Sequence, residues 1–343
     1  MMATKPKLSV YWATGCGGCE IAITNLHERL LDVEAAFDFV FCPCLLDTKK
    51  HDVEALPDGS IAITLFNGAI RTAENLEMAR LMRRKSQLVV AFGACACHGG
   101  IPGLSNLSSA ADHVRTNYLE GETLDNPDRV VPGGRVVVDG GVLELPAFHD
   151  QVRTLADVIE VDYSIPGCPP EPHQIWAVLD AVLRGVPLPP KGSVLGAGSS
   201  SVCDECHRRQ GEKKLDRLRR TWEFAPDPET CLLEQGLLCV GIATRSGCGA
   251  LCPQVQAPCI GCYGPPEGVL DQGGKMAAAL GSMIDIEPLR GLGDAEITAY
   301  LDNIFDAIPD YPGSFYKFSL PGSALRASVT AQGATVREQG DRA

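Results

Sequence analysis

Cysteine is the residue type in this sequence whose number and spacing most clearly predict chemistry: 15 of the 343 residues are cysteine. Thiolates are the ligands of iron–sulfur clusters and of many zinc sites, so repeated CxxC pairs indicate metal binding. Twelve of the cysteines fall into groups and are predicted to be metal ligands: Cys16, Cys19, Cys95, Cys168, Cys203, Cys206, Cys231, Cys239, Cys248, Cys252, Cys259 and Cys262. Cys42, Cys44 and Cys97 are left over. One of these three could be a ligand, but we interpret them as small buried hydrophobic residues.

A disulfide scaffold is the alternative use of so many cysteines. The sequence begins MMATKPK and leads directly into a strand-like run, which predicts no signal peptide and a cytoplasmic location, where thiols are kept reduced. The 30 basic and 43 acidic side chains give a formal charge of −13, which argues against nucleic acid or an anionic membrane as a partner. No apolar stretch approaches the roughly 18 to 20 residues of a membrane span.

The elements that must position the cysteines alternate between strands and helices over residues 8–185. We predict strands at 8–12, 37–42, 61–65, 87–92 and 158–163, and helices at 21–36, 74–85 and 172–184. Such alternation is typical of an α/β fold with a parallel sheet covered by helices on both faces. An insertion before the last strand contains a predicted hairpin, in which 135–138 pairs with 142–145.

The second part of the chain has a different character. Residues 186–201 are rich in Pro, Gly and Ser and form the predicted linker, which divides the chain into domains at 1–188 and 189–343. Residues 203–266 hold eight cysteines with little periodicity, so we do not expect an apolar core alone to hold them together, and bound metal would supply the missing cohesion. Short helices are predicted at 276–284 and 297–308, and a polar, frayed tail at 330–343.

Four cysteines are predicted to meet at one edge of the parallel sheet. Cys16 and Cys19 follow the first strand, Cys95 follows the strand at 87–92, and Cys168 follows the strand at 158–163. Because loops at the carboxyl ends of parallel strands converge, four thiolates at this edge can hold a 4Fe-4S cubane. The turn is no dinucleotide site, since Glu20 stands where GxGxxG requires its third glycine. Glu20 is either a favourable acid in the first turn of a helix or a group that moves protons.

The eight later cysteines divide into two sets of four. Tetrahedral zinc is the alternative for either set, but zinc ribbons place their CxxC pairs about 15 to 20 residues apart. Here 53 residues separate Cys206 from Cys259, with four further cysteines between them. Cys203 to His207 also matches the CxxCH pattern of haem attachment, which belongs to exported proteins. The spacing favours iron–sulfur clusters, with zinc second.

With these motifs in order, the chain resembles the small, electron-transfer subunit of nickel-iron hydrogenases. The matching segments are CxxCE at 16–20, GACACHGGIPG at 93–103, PGCPP at 166–170 and APCIGC at 257–262. The cytosolic methyl-viologen-reducing type, which is linked to heterodisulfide reductase, fits best. The resemblance implies a flavodoxin-like domain followed by an irregular, cluster-rich C-terminal domain. A related subunit of respiratory complex I matches the N-terminal half only and has a single cluster.

The resemblance also implies three 4Fe-4S clusters and their ligands. The proximal cluster would be held by Cys16, Cys19, Cys95 and Cys168; the medial cluster by Cys248, Cys252, Cys259 and Cys262; and the distal cluster by Cys203, Cys206, Cys231 and Cys239. Many periplasmic relatives have proline in place of one medial cysteine and histidine at the position of Cys203. Because thiolate donates more electron density than imidazole, the departure at Cys203 predicts a lower potential.

The function implied is the relay of electrons between H2 or protons at a nickel-iron centre, held by a separate large subunit, and an acceptor subunit. That acceptor is expected to be heterodisulfide-reductase-like or a small iron–sulfur protein. An electron-transfer module of another reductase and a zinc-stabilised interaction protein are the competing hypotheses. Residues 208–220 hold seven basic residues against Glu212 and Asp216, which favours either an acceptor-docking surface or a solvated helix face.

Overall fold

The computed structural model describes residues 5–211, 214–308 and 310–325. Its strands are β1 (Lys7–Trp12), β2 (Asp38–Phe41), β3 (Ile61–Asn67), β4 (Ile70–Thr72), β5 (Ser86–Phe92), β6 (Arg135–Val138), β7 (Gly141–Glu144), β8 (Phe148–Arg153) and β9 (Tyr163–Ile165). Its α-helices are α1 (Gly18–Thr24), α2 (Arg29–Ala36), α3 (Lys50–Ala55), α4 (Ala73–Lys85), α5 (Gly93–His98), α6 (Ala110–Tyr118), α7 (Pro172–Leu183), α8 (Leu251–Gln254), α9 (Gln272–Met283), α10 (Asp294–Phe305) and α11 (Tyr311–Phe315). The predicted tail at 330–343 lies outside the described residues.

Five parallel strands form the central sheet in the order β2-β1-β3-β5-β9. This is the flavodoxin-like order, and it confirms the predicted α/β fold. The central strands β3 and β5 are mostly apolar and mostly buried because both faces of the sheet are covered. On one face Val10 and Leu65 pack with α1, α2 and α7, and on the other Phe66 and Val89 pack with α3 and α4.

Two predicted elements differ from the structure. The helix expected at 21–36 is two helices, because the chain turns at 25–28 with His27 at φ 53° and buries Leu26. The strand expected at 158–163 is shorter and begins later, since β9 runs only from Tyr163 to Ile165. Before it, Leu155–Asp157 forms a 3₁₀ turn, and Val158 and Val161 pack onto the core of the α3 and α4 face. The hairpin of β6 and β7 is confirmed and is exposed throughout.

The predicted linker packs against the sheet over part of its length. The hydroxyl of Tyr163 donates to the carbonyl of Pro189 at 2.9 Å. The amide of Leu195 donates to the carbonyl of Ser164 at 2.8 Å, and Val194 forms a parallel bridge with Ser164. This segment therefore continues the hydrogen bonding of the edge strand β9 before the chain enters the cysteine-rich region.

The second region contains an apolar core of its own. Its buried hydrophobic side chains come from 3₁₀ turns, loops and the helices α9, α10 and α11, so they show no long periodicity in the sequence. The core consists of Leu215, Leu233, Val240, Ala243, Met276, Leu280, Met283, Ile304, Ile308 and Phe315. The helices expected at 276–284 and 297–308 are confirmed as α9 and α10, each beginning a few residues earlier. Within the described ranges, no helix has the length and apolarity needed to cross a membrane.

Candidate metal centres

The four cysteines predicted to be proximal come together at the carboxyl edge of the sheet. Cys16 and Cys19 lie in the turn after β1 and in α1, Cys95 lies in α5 after β5, and Cys168 follows β9. Burial, together with the neighbouring charges of Cys168 and Cys16, raises the pKa of the Cys95 thiol to about 12. Burial likewise raises the pKa of Cys19, with the other three thiols adding to the effect. Thiols this close and this buried are suited to being ligands, since a bound cation stabilises the thiolates that burial disfavours.

Glycines leave space around the sulfurs of this proximal set. Gly93 has φ +84°, and a Cβ atom there would lie 2.3 Å from Cys19 Sγ. Gly100 has φ +59°, and its Cβ would lie 2.5 Å from Cys95 Sγ. The amide of Gly18 donates to Cys16 Sγ at 3.4 Å. Four thiols, close backbone and an amide donor fit the requirements of a 4Fe-4S cluster, which is ligated by thiolates and tuned by N–H bonds to sulfur.

Glu20 is buried beside the proximal set. Both of its carboxylate oxygens accept hydrogen bonds from Asn67 Nδ2 at 2.8 Å. Its charge also raises the pKa values of Cys19 and Cys95. Sequence reasoning missed Asn67, although its position at the end of the buried strand β3, on the same edge as the cysteines, was a usable signal. The carboxylate is held in one orientation; whether it moves protons stays a hypothesis.

The predicted distal cysteines surround one cavity in the second region. Cys203, Cys206, Cys231 and Cys239 line it together with Arg208 and other residues. Burial raises the pKa of Cys203 to about 12, and the other three thiols add to this shift in the order Cys239, Cys231, Cys206. A Cβ on Gly241 would lie 3.5 Å from Cys203 Sγ and 3.6 Å from Cys239 Sγ. The backbone again passes close to the sulfurs, as it does around the proximal set.

The predicted medial cysteines form the third group. Burial, together with charges that include those of Cys248 and Cys252, raises the pKa of Cys262 to about 12. Cys259 is buried and has Cys262 near it. Glu205, which lies between the two cysteines of the distal CxxC pair, accepts hydrogen bonds from the amides of Gly247 at 2.9 Å and of Ala250 at 3.2 Å. Glu205 therefore holds the loop that carries Cys248, a role that sequence reasoning missed.

Contacts between the three sets place them in a row. The backbone amide of Cys168, in the proximal set, faces the thiol of Cys262 in the medial set. The amide of Cys259, in the medial set, donates to Cys239 Sγ of the distal set at 3.3 Å.

In a 4Fe-4S cluster each thiolate binds its own iron. Within the described residues, no group of three or more Cys, His, Asp or Glu side chains is arranged to hold one metal ion.

The junction between the sheet and the second region is polar and buried. Tyr263, which follows Cys262 and is 1 % exposed, donates its hydroxyl proton to Gln174 Oε1 and accepts from the amide of Glu171 at 3.1 Å. Gln174 Nε2 in turn donates to the carbonyl of Gly247 at 2.5 Å. Helix α7 of the sheet domain is thus bonded to both ends of the medial ligand segment.

The remaining three cysteines lie outside the three sets. Cys97 is largely buried and donates to the carbonyl of Ala91 at 3.3 Å. Cys42 is 2 % exposed, which agrees with its interpretation as a buried hydrophobic residue. For Cys44 that interpretation is wrong, because its side chain is exposed. None of the described cysteines forms a disulfide.

The basic segment at 208–220 is not helical in its described part. Arg208 is buried and donates to the carbonyls of Pro253, Asp227 and Thr230. Arg219 and Arg220 lie over the rings of Phe224 and Trp222, 5.0 and 5.8 Å from the centroids. The solvated helix face is therefore wrong as an interpretation, and one arginine belongs to the wall of the distal cavity.

Comparison with known proteins identifies relatives of this chain. Residues 16–182 match the family model described as "NADH ubiquinone oxidoreductase, 20 Kd subunit". The iron–sulfur subunit of the F420-non-reducing hydrogenase of Archaeoglobus profundus is 39% identical over 94% of this chain and 98% of its own length. A subunit of the F420-non-reducing hydrogenase of Methanothermobacter marburgensis is 35% identical over 97% of this chain and 100% of its own length.

Among solved structures, a chain of an NAD+-reducing [NiFe]-hydrogenase in the H2-reduced state aligns with 53% of this chain and 92% of its own length, at 30% identity and a TM-score of 0.46. The two archaeal relatives match nearly end to end, including the region with the eight later cysteines. This chain belongs to the family of small, iron–sulfur subunits of nickel-iron hydrogenases, of the F420-non-reducing type.

Proposed function

We propose that this subunit relays electrons between a nickel-iron large subunit and an acceptor subunit through three 4Fe-4S clusters, in the order proximal, medial, distal. The observation that carries the proposal is the pair of contacts between sets, from Cys168 to Cys262 and from Cys259 to Cys239. A row of closely spaced redox sites leading away from one edge of the sheet is what an electron relay requires. Because each site would be ligated by four cysteines, we expect low potentials throughout.

The clusters, when bound, would supply one-electron redox chemistry; this chain supplies their ligands and surroundings. Glycines keep side chains away from the proximal sulfurs, and Gly18 and Cys259 donate amide hydrogen bonds to sulfur. Such bonds stabilise the more negative, reduced state of a cluster and so raise its potential. Burial of Cys19, Cys95 and Cys259 excludes water from these sites.

The face that would dock the large subunit surrounds the proximal set. Cys16 is exposed, and exposed apolar side chains flank it: Trp12 is 42% exposed and Ile21 61% exposed. The Trp12 ring lies directly against the position of Gly17. Exposed apolar residues grouped around a site are typical of a protein interface. Covering this face with the large subunit would shield the proximal cluster from solvent.

The acceptor subunit would dock near the distal set. Arg217 and Arg209 are exposed in the segment that contains Arg208 of the distal cavity, and Trp222 is 79% exposed beside Arg220. Basic and aromatic side chains around a redox site favour an acidic partner, since complementary charge speeds productive encounter. A heterodisulfide-reductase-like subunit or a small iron–sulfur protein would meet this requirement. We also place the complex in the cytoplasm, since its unpaired cysteines suit a reducing compartment.

The test is to break the relay at its outer end. In the complex with the large subunit, Cys206→Ser should perturb the distal cluster while H2 still reduces the proximal and medial clusters. Electron paramagnetic resonance under H2 should therefore retain those two signals, and H2-dependent reduction of the acceptor should fall at least tenfold. Cys97→Ser, which alters a cysteine outside the three sets, is the control and should leave both readouts unchanged.

Two results would contradict the proposal. Undiminished reduction of the acceptor by a complex without the distal signal would mean that electrons leave elsewhere. A natural complex that contains the clusters but no nickel would instead favour an electron-transfer module of another reductase.

A further inference from the structure

The pair formed by Cys42 and Cys44 has no part in the relay, yet its geometry is that of a reactive dithiol. The two Sγ atoms lie 3.4 Å apart. A disulfide requires about 2.05 Å, so the two sulfurs would have to approach by about 1.4 Å. No other described cysteine outside the three ligand sets has a second such cysteine as a hydrogen-bond partner.

A turn holds the two thiols on the same side of the backbone. The carbonyl of Cys42 accepts hydrogen bonds from the amides of Leu45 at 2.9 Å and Leu46 at 2.8 Å. Pro43 lies at the second position of this turn, where its fixed φ favours the conformation before any tertiary contact forms. The thiols therefore do not have to be brought together by a chain movement.

The two cysteines differ in their exposure to solvent. Cys44 is exposed and can meet a reagent from solvent. Cys42 is 2 % exposed and belongs to the same apolar core as Cys19 and Ala22 of helix α1. Burial raises the pKa of Cys42 to about 12, with Cys44 adding to the shift. Because the raised pKa lowers the thiolate fraction of Cys42, the exposed Cys44 is placed to react first. The 3.4 Å separation then lets Cys42 attack Cys44 within the same chain as the resolving thiol.

We propose that Cys42 and Cys44 are a redox modification site that forms a reversible intramolecular disulfide by exchange with a small-molecule disulfide, RSSR. In the first step the Cys44 thiolate attacks one sulfur of RSSR, which forms a mixed disulfide and releases RS⁻. In the second step the Cys42 thiolate attacks Cys44 Sγ, which forms the protein disulfide and releases the second RS⁻. Two electrons pass from the protein thiols to RSSR, and the two thiol protons go to solvent or to the released thiolates.

The test uses the complete hydrogenase complex and 2-hydroxyethyl disulfide as the probe. After anaerobic incubation, free thiols are blocked with N-ethylmaleimide and the protein is digested with trypsin. The tryptic peptide 30–49 contains Cys42 and Cys44 and none of the twelve predicted ligands, so its state is independent of the clusters. We expect it to carry no maleimide, to be two hydrogen masses lighter than the dithiol, and to regain both adducts after reduction.

Single variants separate the two steps. In Cys42→Ala the exposed thiol has no resolving partner, so the probe should remain on Cys44 and the mixed disulfide should persist roughly tenfold longer or more than in the natural chain. In Cys44→Ala the buried Cys42 should stay free and be recovered as a thiol. Iron content of each variant checks that the subunit has folded.

Three results would overturn the proposal. One is a stable mixed disulfide on Cys44 of the natural chain, and another is recovery of both thiols of the natural chain after incubation. The third is an equally short-lived adduct in Cys42→Ala. The natural chain alone decides the first two, even if a variant does not fold. None of these outcomes bears on the electron relay, because peptide 30–49 holds no ligand.

Discussion

Replacing Gly93 by alanine is expected to remove the proximal cluster and leave the other two in place. The added Cβ would lie 2.3 Å from Cys19 Sγ, whereas ordinary contacts begin near 3.4 Å. The sulfur would have to move by about 1 Å, several times the roughly 0.2 Å tolerance of a metal–ligand distance. Gly93 begins α5 directly after β5, so the backbone on this side of the contact has little freedom to move.

A second effect of the substitution is conformational and can be subtracted. Gly93 has φ +84°, and a residue with a Cβ in this left-handed region costs about 1–2 kcal/mol. Gly59 has φ +68° with nothing within 4 Å of its Cβ position, so Gly59→Ala carries the same kind of conformational cost without the contact to a ligand. The difference between the two variants isolates the displacement of Cys19.

The assay is iron and sulfide analysis of the purified complex together with electron paramagnetic resonance after reduction. Gly93→Ala should lose about four of twelve iron atoms per subunit and the proximal signal, while Gly59→Ala keeps the full content. H2-dependent reduction of the medial and distal clusters should also cease in Gly93→Ala, because the first site of the relay is missing. If Gly93→Ala retains all its iron and behaves like Gly59→Ala, the assignment of Cys19 as a ligand is wrong.

Three further substitutions test the supports of the sites. Asp162→Asn should lower the free energy of unfolding by on the order of 2 kcal/mol, since it removes the buried carboxylate that Arg83 and Lys191 contact at 2.6 and 2.5 Å. Burial raises the pKa of Asp162, but hydrogen bonds from these two cations hold that pKa below its ordinary value. The stability that the ionised carboxylate contributes is therefore present above about pH 4 and is lost as pH falls through the folded pKa, which acid denaturation would measure. Glu205→Ala should cost about 1–3 kcal/mol by leaving two amides without an acceptor, and spectroscopy should find the medial signal weakened more than the proximal one. Tyr263→Phe should cost about 1 kcal/mol in thermal unfolding and speed loss of the medial cluster to a chelator; unchanged kinetics would exclude this support role.

The sequence predicted the parallel sheet and the convergence of the four strand-end cysteines because both follow from local patterns. Apolar runs mark the buried strands, and the loops at their carboxyl ends must converge, which brings Cys16 to Cys95 and Cys168. Glycine beside a cysteine indicated close backbone approach, and Gly93 and Gly100 provide it.

What the sequence did not predict depends on contacts between distant segments. The break at 25–28 is favoured by burial of Leu26, a tertiary contact that helical periodicity does not encode. The apolar core of the second region is assembled from short elements, so no window of sequence shows it. Asn67 and Glu205 act through hydrogen bonds to Glu20, 47 positions away, and to Gly247, 42 positions away, and such partners have no local signature.

The most direct test of the relay is the metal content of the purified complex, combined with electron paramagnetic resonance after reduction by H2. We predict about twelve iron and twelve sulfide per chain of this subunit, three cluster signals, and nickel that accompanies the large subunit. A colourless preparation with about two or three zinc per chain and no iron would contradict the account.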